Sequence, residues 1–320
     1  MRIVVTGGAG FIGSNLVDAL VADGHTAMVI DDLSTGIRAN LDGALASGRC
    51  ELAEVDLLDE AALPRLIEGA DAVVHLAANA DVRFGWNAPR RDLEQNVHAT
   101  LNVLEAMRAT EVCRILFSST GSVYGEAVQI PTPEDAGFPV QTSLYGASKV
   151  SAEAYLAAYA EAGFVSATVF RFVSIMGARY SHGHVIDFVR QLVEHPDRLT
   201  VLGDGLQRKS YLDVTDCVAA VTSRLPGDPP FEVFNLGVDD YCTVRDSVGW
   251  ICARMGLEPE LEFTGGDRGW IGDNPFIFLD TARIRETGWT HRRSIREAVE
   301  GTVDWLLAHP DRLTIGDVRG

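Results

Sequence analysis

A tyrosine and a lysine, Tyr145 and Lys149, stand four residues apart in a segment with helical character. On a helix, side chains at positions i and i+4 lie on one face, so the phenol and the ammonium would face the same ligand. A phenol has a reference pKa of about 10, and a neighbouring positive charge lowers it towards the range of a useful base. Lys149 is one of two lysines among the 27 basic residues of the chain. Solvated helix faces often carry both residue types, so this interpretation needs support from elsewhere in the sequence.

A run of hydroxyl side chains follows the apolar segment 113–118 and consists of Ser118, Ser119, Thr120 and Ser122. In open α/β sheets, ligands bind at the carboxyl ends of the strands, so we expect this run beside the ligand. One of its hydroxyls would relay a proton between a substrate alcohol and the tyrosine. Taken alone, the run is better explained as an ordinary Ser/Thr turn.

A glycine-rich turn lies close to the N-terminus, between a predicted strand at 2–6 and a predicted helix at 12–23. Its glycines at 7, 8, 10 and 13 satisfy both the GxxGxxG and the GxGxxG spacing. Missing side chains let the backbone approach a pyrophosphate, and the helix N-terminus adds free N–H groups with a partial positive charge. Because strand, turn and helix coincide, the segment predicts a dinucleotide site rather than a chance turn.

Three acidic residues follow the next strands. Asp31 ends the predicted strand 26–31, where a carboxylate accepts hydrogen bonds from the adenosine ribose and repels a 2′-phosphate. The sequence therefore predicts NAD rather than NADP, although Asp31 could also cap a turn. Asp32 is better explained as a turn cap, and Asp56 fits an adenine contact or a helix cap equally well.

The elements that must position these residues alternate along the first half of the chain. Apolar strands at 2–6, 26–31, 51–55, 72–77, 113–118 and 165–171 are separated by helices near 12–23, 60–68 and 91–109. Buried strands that alternate with helices predict a parallel sheet covered on both faces, which is the Rossmann-type doubly wound α/β fold.

The pattern loosens after residue 172, where helices are predicted near 184–195, 243–256 and 294–308. A strand near 211, a helix near 215–225 and a strand at 231–236 indicate a return to the sheet. We therefore predict a smaller, discontinuous C-terminal substrate lobe. Residues 1–172 and 211–237 would form the NAD-binding domain, and 173–210 and 238–320 the substrate lobe.

Composition narrows the class of protein. The chain has 320 residues, of which 47% are hydrophobic and 22% charged, as in globular proteins. A net charge of −18 argues against a nucleic-acid binder or a protein of anionic membrane surfaces. We expect no signal peptide and no membrane span, since no apolar stretch reaches about 18 residues. Five scattered cysteines without a CxxC pair favour a reducing cytoplasm.

Together these features resemble the extended short-chain dehydrogenase/reductases, and among them the NAD-dependent sugar-nucleotide epimerases of the UDP-glucose 4-epimerase type. The resemblance covers essentially the whole chain, in the segments 6–13, 31–36, 56–57, 76–78, 96, 118–125, 145–149, 202–205, 211–214 and 280–289. It implies that NAD⁺ takes a hydride from C4 of the sugar. The resulting 4-keto sugar turns in the pocket and takes the hydride back on its other face.

The resemblance also implies roles for individual residues, with Thr120, Tyr145 and Lys149 as the catalytic set. Its implied contacts to NAD are Gly7, Gly10, Phe11, Ile12, Gly13, Asp31, Asp32, Ser34, Thr35, Gly36, Asp56, Leu57, Leu76, Ala77, Ala78, Asn96, Ser118, Tyr145, Lys149 and Val173. Its implied contacts to a nucleotide-diphosphate sugar, most simply a UDP-sugar, are Arg83, Thr120, Ser122, Tyr145, Ser174, Arg208, Lys209 and Arg268.

Two positions depart from the family pattern. Ser174 stands where relatives carry a diphosphate-binding asparagine, and Lys209 stands where they place an arginine, with Arg208 one step away. These departures bear on the diphosphate contact and on the choice of sugar.

Gly121 and Ser122 bear on the reaction. In the family that the chain resembles, 4,6-dehydratases carry an Asp-Glu pair after the threonine, and decarboxylating relatives carry a glutamate just before Val-Tyr-Gly. Elimination needs an acid and a base beyond the tyrosine, and this strip supplies no carboxylate. We therefore expect simple epimerisation. A sugar-nucleotide dehydratase or reductase is the alternative, and a non-catalytic NAD-binding regulator is less favoured because both Tyr145 and Lys149 are present.

Two further expectations concern metal and assembly. His182 and His184 suggest a metal site, but no third ligand is evident, so we predict none. The resemblance implies a homodimer packed through helices near 91–109 and 147–162. The second helix carries a stripe that fits such a contact or the core equally well, made of Ala152, Tyr155, Leu156 and Tyr159.

Overall fold

The computed structural model describes residues 1–80, 82, 85–137, 140–269, 274 and 276–314. Its strands, in chain order, are β1 (Arg2–Thr6), β2 (Thr26–Asp31), β3 (Cys50–Glu54), β4 (Ala72–His75), β5 (Arg114–Thr120), β6 (Ser166–Phe172), β7 (Ser174–Met176), β8 (Arg198–Val201), β9 (Arg208–Lys209), β10 (Tyr211–Asp213), β11 (Phe231–Leu236), β12 (Cys242–Thr243), β13 (Glu260–Phe263) and β14 (Phe276–Ile277). Seven of them form one sheet in the order β11-β6-β5-β4-β1-β2-β3, with every pair parallel. The predicted doubly wound α/β fold is confirmed.

The helices are α1 (Phe11–Ala22), α2 (Asp42–Ala46), α3 (Leu63–Ile67), α4 (Pro89–Asp92), α5 (Ala99–Thr110), α6 (Leu144–Glu161), α7 (His184–Glu194), α8 (Val214–Ser223), α9 (Val244–Met255), α10 (Ala282–Arg285), α11 (Ile295–Ala308) and α12 (Asp311–Thr314). A π-helical segment, Leu93–His98, joins α4 to α5. Short 3-10 turns occupy Arg38–Leu41 and Gly121–Tyr124. No helix in the described ranges combines the length and the apolar character that crossing a membrane requires.

Both faces of the central sheet are buried, as the continuous apolar strands require. Ile3 and Val5 of β1 belong to one core cluster with residues of α1 and α8, while Val4 between them belongs to a second cluster with α3, α5 and α6. Alternate side chains of a strand point to opposite faces, so one strand supplies both cores. Burying each such side chain contributes about 1.5–3 kcal/mol, which makes the sheet a rigid base for the loops at its carboxyl edge.

The later strands form three small sheets outside the central one. β7 pairs with β10, β9 lies between β12 and β14, and β8 pairs with β13. The prediction that the strand near 211 rejoins the main sheet is wrong, because Tyr211 pairs with Ser174 of β7. The reason is topological. β11 already occupies the free edge of β6, with Phe231 opposite Ala167, and β7 continues the chain directly after β6.

Two helices of the C-terminal part begin where the sequence places them, and the reason is local. Thr243 and Asp246 form a capping box at the start of α9, and Ser294 and Glu297 form another at the start of α11. Each box satisfies backbone N–H groups that would otherwise lack a partner inside the helix. The division into an NAD-binding domain and a substrate lobe stays a prediction.

Candidate active site

A cleft of about 370 Å³ runs along the carboxyl ends of the central strands. Most residues that the sequence assigns to the cofactor line it. They are Gly7, Gly10, Phe11, Ile12, Gly13, Asp31, Asp32, Ser34, Thr35, Gly36, Asp56, Leu57, Leu76, Ala77, Ala78, Ser118, Tyr145 and Lys149. Five separate strand ends contribute to this set, so the parallel sheet brings together residues that lie far apart in the sequence.

The glycine turn has a geometry that other residues would disrupt. Gly7 has a φ of +67°, and a Cβ placed on it would lie 2.7 Å from the backbone nitrogen of Ala77. A Cβ on Gly13 would lie 2.2 Å from the carbonyl oxygen of Gly7. The helix α1 then starts at Phe11 with no side-chain cap from Gly10. Its first N–H groups therefore face the cleft end of the turn, where the pyrophosphate of a dinucleotide fits.

Asp31 is held by the same turn. Its carboxylate is 8% exposed and accepts hydrogen bonds from the backbone nitrogens of Ala9 and Leu33, each at 2.9 Å. Burial raises the pKa of Asp31, and the two hydrogen bonds oppose that shift. A Cβ on Gly36 would lie 2.5 Å from the Oδ1 atom of Asp31. Asp31 thus shapes the loop and also presents carboxylate oxygens to the cleft.

The other two acids combine a turn role with a place on the cleft wall. Asp32 Oδ1 accepts from the backbone nitrogen and hydroxyl of Ser34, at 2.9 and 2.7 Å. Asp56 Oδ1 accepts from the backbone nitrogen of Leu58 at 2.9 Å. The turn interpretation therefore describes both residues locally, and both still line the cleft.

Tyr145 and Lys149 lie on the first turns of α6, which Ser143 caps by accepting a hydrogen bond from Gly146 at 3.0 Å. The predicted helical spacing therefore places both side chains at the cleft. Lys149 is 2% exposed; its Nζ donates to the carbonyl oxygen of Ser118 at 2.9 Å and lies 4.6 Å from the ring centroid of Phe117. Burial lowers the pKa of Lys149 to about 7.

Two buried acids oppose that shift of Lys149, namely Glu153 and Asp92. Burial raises the pKa of Tyr145 to about 12, and its hydrogen bond with Thr120 acts in the opposite direction. The phenol is thus a weak acid that stays protonated in the protein alone. A positive charge arriving in the cleft would favour its phenolate form.

Thr120 does not line the cleft wall, but it reaches the chemistry through this hydrogen bond with the tyrosine. It ends β5, and its Oγ1 atom accepts from the backbone nitrogen of Ser122 at 3.1 Å, which starts the turn Gly121–Tyr124. The predicted hydroxyl relay and the predicted Ser/Thr turn are therefore the same structure.

A buried ion pair supports the hydroxyl run from behind. Glu153 accepts a hydrogen bond from Ser119, and Arg171 binds Glu153 with an Nη2–Oε2 distance of 2.6 Å. The same guanidinium donates to the phenol oxygen of Tyr124 at 2.7 Å, and Tyr124 donates to Asn235 at 2.7 Å. This network ties the ends of β5, β6 and β11 together beneath the cleft.

Asn96 and Val173 are the predicted cofactor residues that do not line the cleft. Asn96 is 1% exposed, and its amide bonds the backbone of Asn79 and the hydroxyl of Ser148. Ser148 in turn donates to the carbonyl oxygen of Tyr145 at 2.8 Å. Asn96 therefore joins the end of β4 to the catalytic helix, while Val173 is 5% exposed in the core.

Sequence reasoning missed several residues of the cleft wall, namely Ile30, Val55, Asn79, Ala80, Arg91, Gln95, Phe172, Ser181 and His182. Most of them end a central strand or closely follow one, and the rule for strand ends was a sufficient signal for these. Arg91 and Gln95 have the i, i+4 spacing of a shared helix face, but the family pattern directs attention to Asn96 instead.

Of the predicted substrate residues that the structure describes, Tyr145 lines this cleft and the others do not. Arg208 stacks on Phe276, with the guanidinium carbon 3.8 Å from the ring centroid, and Lys209 donates to the carbonyl oxygen of Asn274. Arg268 forms an ion pair with Glu126. Ser174 is an exposed residue at the start of β7. Arg83 lies outside the described residues.

The two histidines of the loop before α7 diverge. His182 lines the cleft. His184 instead packs against Tyr211, bonds the hydroxyl of Ser247 through Nε2 at 2.8 Å, and has its pKa lowered to about 3 by burial. In the described part of the chain, His, Cys, Asp and Glu side chains form no group of three that could hold a metal ion.

A glycine turn at the start of a parallel sheet and a Tyr–Lys pair at its carboxyl edge define a dinucleotide-dependent α/β enzyme. The residues fit NAD: the turn leaves no room for side chains, α1 has no side-chain cap, and Asp31 stands beside the turn. The family model described as the NAD dependent epimerase/dehydratase family matches residues 3–237. The chain belongs to this family.

Individual relatives agree along nearly the whole chain. The UDP-glucose 4-epimerase of Mycolicibacterium smegmatis is 33% identical over 313 residues, which cover 96% of this chain and 98% of the relative. A crystal structure of UDP-galactose 4-epimerase is 38% identical with a TM-score of 0.86, over 96% of this chain and 99% of that one. A Thermus thermophilus UDP-glucose 4-epimerase in complex with NAD is 29% identical with a TM-score of 0.87, over 97% of this chain and 100% of that one.

Proposed function

We propose that this protein is a sugar-nucleotide 4-epimerase that acts on a UDP-sugar through a transient 4-keto intermediate. The observation that carries the proposal is the arrangement of Thr120, Tyr145 and Lys149. Tyr145 and Lys149 line the dinucleotide cleft, the side chain of Thr120 acts to lower the pKa of Tyr145, and no carboxylate stands next to the threonine. The relatives named as UDP-glucose and UDP-galactose 4-epimerases support the same reaction.

Each catalytic side chain has a distinct task in this mechanism. NAD, when bound, supplies a hydride acceptor at the cleft and a positively charged ring. Tyr145 as phenolate accepts the proton of the C4 hydroxyl while the C4 hydride leaves the sugar, and it returns the proton when the hydride is restored to the other face. Thr120 holds the phenol oxygen by a hydrogen bond, and so fixes the direction of proton transfer. Lys149 supplies a second positive group whose buried position makes its charge sensitive to the ligand.

The space around Gly121 favours epimerisation over elimination. A Cβ on Gly121 would lie 3.1 Å from Cγ2 of Ile277 and 3.4 Å from the carbonyl oxygen of Phe172. A side chain at this position would need Ile277 to move by a few tenths of an ångström. Loss of water requires an additional acid and base, so the packing and the composition of the strip argue together against the dehydratase alternative.

The substrate diphosphate is the proposed ligand of the basic residues beyond the cleft. Strand pairing places Arg208 and Lys209 between Cys242–Thr243 and Phe276–Ile277. Arginine suits paired phosphate oxygens, and a lysine acts there as a point charge. Ser122, Ser174 and Arg268 complete the proposed set, with a hydroxyl at 174 in place of the family asparagine.

Product analysis tests the proposal. The purified holoprotein is incubated with UDP-sugars, and with GDP-, CDP- and dTDP-sugars for comparison, and the products are separated and weighed. We expect a product of unchanged mass, no consumption of external NAD(P)H, and retention of a C4 deuterium label in the sugar. Loss of 18 mass units, a gain of two with cofactor oxidation, or deuterium in the solvent would each contradict a C4 epimerase.

We further propose a homodimer whose contact includes Tyr155. Ala152 and Leu156 of the predicted stripe are buried in the core, but Tyr155 is 42% exposed on α6, and Leu93 of the neighbouring π-helical segment is 48% exposed. Light scattering should give twice the chain mass, and Tyr155→Glu should lower it. A monomeric wild-type protein would refute the proposal.

The five free cysteines support a reducing, cytoplasmic location.

A further inference from the structure

The loop that precedes α7 closes over one end of the cofactor cleft. Gly177 and Gly183 bracket this loop with φ values of +135° and +115°. A Cβ on Gly183 would lie 2.2 Å from the phenol oxygen of Tyr180, so the chain must turn back tightly there. Within the loop, Ser181 and His182 line the same cleft as the glycine turn.

Three contacts fasten this loop, residues 178–182, to the helix that starts at the glycine turn. Asn15 donates to the carbonyl oxygen of Ala178 at 3.0 Å, and an Arg179–Asp18 ion pair follows with an N–O distance of 2.6 Å. The ring of Tyr180 then meets Phe11 edge to face, with centroids 5.6 Å apart. Asn15, Asp18 and Phe11 all belong to α1, so the loop is anchored along the first two turns of that helix.

These anchors connect His182 to the start of α1 through Tyr180. Its ring lies parallel to that of Tyr180 at 6.4 Å, and Tyr180 contacts Phe11, the first residue of the helix. The Nδ1 atom of His182 is 3.1 Å from the hydroxyl of Ser181. When that hydroxyl donates to Nδ1, the ring proton resides on Nε2 and is directed away from Ser181.

The arrangement of charges along the cleft wall singles out this donor. Lys149 bonds Ser118 at the catalytic end, and Arg91 belongs to α4. Two acids of the wall are Asp31, which ends β2, and Asp56, which follows β3. The start of α1 itself offers backbone N–H groups and the apolar side chains of Phe11 and Ile12. Among the described wall residues, His182 is the one imidazole, and its loop is fastened to the helix that starts at the glycine turn.

We propose that His182 is a cofactor-retention residue, whose Nε2–H bonds the pyrophosphate of NAD and is positioned by the 178–182 loop. Retention of the cofactor matters for a cycle in which the hydride must return to the same sugar. A reduced cofactor that dissociates would leave the 4-keto sugar without its hydride donor. The inference depends on cofactor binding by this family and not on the proposed reaction, so either can fail alone.

The test measures cofactor release rather than turnover. NAD-loaded wild type, His182→Ala and His182→Gln are diluted, and bound NAD is followed over time by separating protein from nucleotide. His182→Ala should release NAD about tenfold faster or more, the scale of one hydrogen bond to a charged group. His182→Gln keeps an N–H donor and should fall between. His195→Ala, at the far end of α7, is the matched control and should match wild type.

Binding of NAD fragments identifies the part of the cofactor that His182 contacts. Removing His182 should weaken ADP-ribose and ADP binding but leave adenosine binding unchanged, since adenosine carries no phosphate. Asp18→Asn removes one loop anchor and should accelerate release about two- to threefold, as expected for a partly exposed ion pair. Unchanged NAD release in His182→Ala would overturn the proposal, and so would an equal loss of adenosine binding. Weaker UDP binding with unchanged NAD release would overturn it as well, by assigning His182 to the substrate.

Discussion

The cofactor side of this molecule and its proposed substrate side, which carries Arg208 and Arg268, differ in what holds their polar groups. On the cofactor side, the backbone does most of the positioning: the glycine turn touches Ala77, and the carboxylate of Asp31 is held by the amides of Ala9 and Leu33. On the substrate side, Arg208 and Arg268 rest on other side chains, Phe276 and Glu126. A backbone-built site tolerates few substitutions, whereas one built from long side chains can adapt to a new ligand by exchanging them.

Tyr145, the proposed catalytic base, gives the largest expected effect. Tyr145→Phe keeps the ring but removes the proton carrier, so turnover should fall by a factor of about 100 or more, the usual scale for general acid–base catalysis. Bound NAD should be retained, because the glycine turn is untouched. Initial rates with the best UDP-sugar and the NAD content of the purified protein measure the two quantities. A variant that turns over near the wild-type rate would exclude the tyrosine as proton carrier.

Gly13→Ala tests how strictly the backbone defines the cofactor side. The added methyl would lie 2.2 Å from the Gly7 carbonyl oxygen, so the turn must open. We expect about a tenfold or greater loss of NAD affinity and a lower melting temperature, because the pyrophosphate site is the turn itself. Gly249→Ala is the matched control, since a Cβ in that position of α9 meets no atom within 4 Å. Equal NAD affinity in the two variants would contradict a closely packed turn.

Lys149→Met probes the buried charge through its pH dependence. The pKa of Lys149 is lowered to about 7 in the fold, below its unfolded value of about 10.5. Burying the charged form therefore destabilises the fold fully below about pH 7, and this penalty disappears as pH rises towards about 10. The methionine variant should be more resistant to urea than wild type at about pH 6, by a margin that shrinks at about pH 9. A difference in urea resistance that is constant or grows with pH would contradict the lowered pKa of Lys149.

The same contrast explains which structural features the sequence alone could predict. Glycine spacing, the acid after β2 and the i, i+4 pair are local patterns whose structural consequence follows directly from backbone geometry, and all of them line the cleft. Pairings between distant segments carry no such signal. The partnership of β10 with β7 depends on β11 having taken the edge of β6, which no local pattern contains.

Asn96 and His182 illustrate the same limit at single residues. In the π-helical segment Leu93–His98, Gln95 lines the cleft while Asn96 bonds Asn79 and Ser148, so the residue that the family pattern selects is not the one on the cleft wall. His182 comes from a loop of the predicted substrate lobe, yet it reaches the cofactor cleft because α1 anchors that loop. Both outcomes are set by tertiary packing.

Asp31→Asn tests the cofactor preference with a smaller change. The amide keeps one acceptor oxygen for the turn but removes the charge that repels a 2′-phosphate. NADP affinity should rise and NAD affinity should fall, each by a few fold, as binding titrations of the stripped protein would reveal. If the wild-type protein is purified with mostly NADP bound, the predicted preference for NAD is wrong.

Arg268→Ala should have the smallest effect of these substitutions. It is also the most direct test of the difference between the cofactor side and the proposed substrate side. Its ion pair with Glu126 is largely exposed, with side chains 39% and 55% accessible, so losing it should barely change the melting temperature. If Arg268 exchanges Glu126 for the substrate diphosphate, KM should rise several fold while kcat stays close to wild type, because the contact holds the ground state and the transition state alike. Glu126→Gln separates the two roles. It removes the ion pair but keeps the guanidinium, so KM should stay level or fall. A rise in KM for Glu126→Gln equal to that for Arg268→Ala would mean that the pair acts as a structural unit, and that the substrate side is as fixed as the cofactor side.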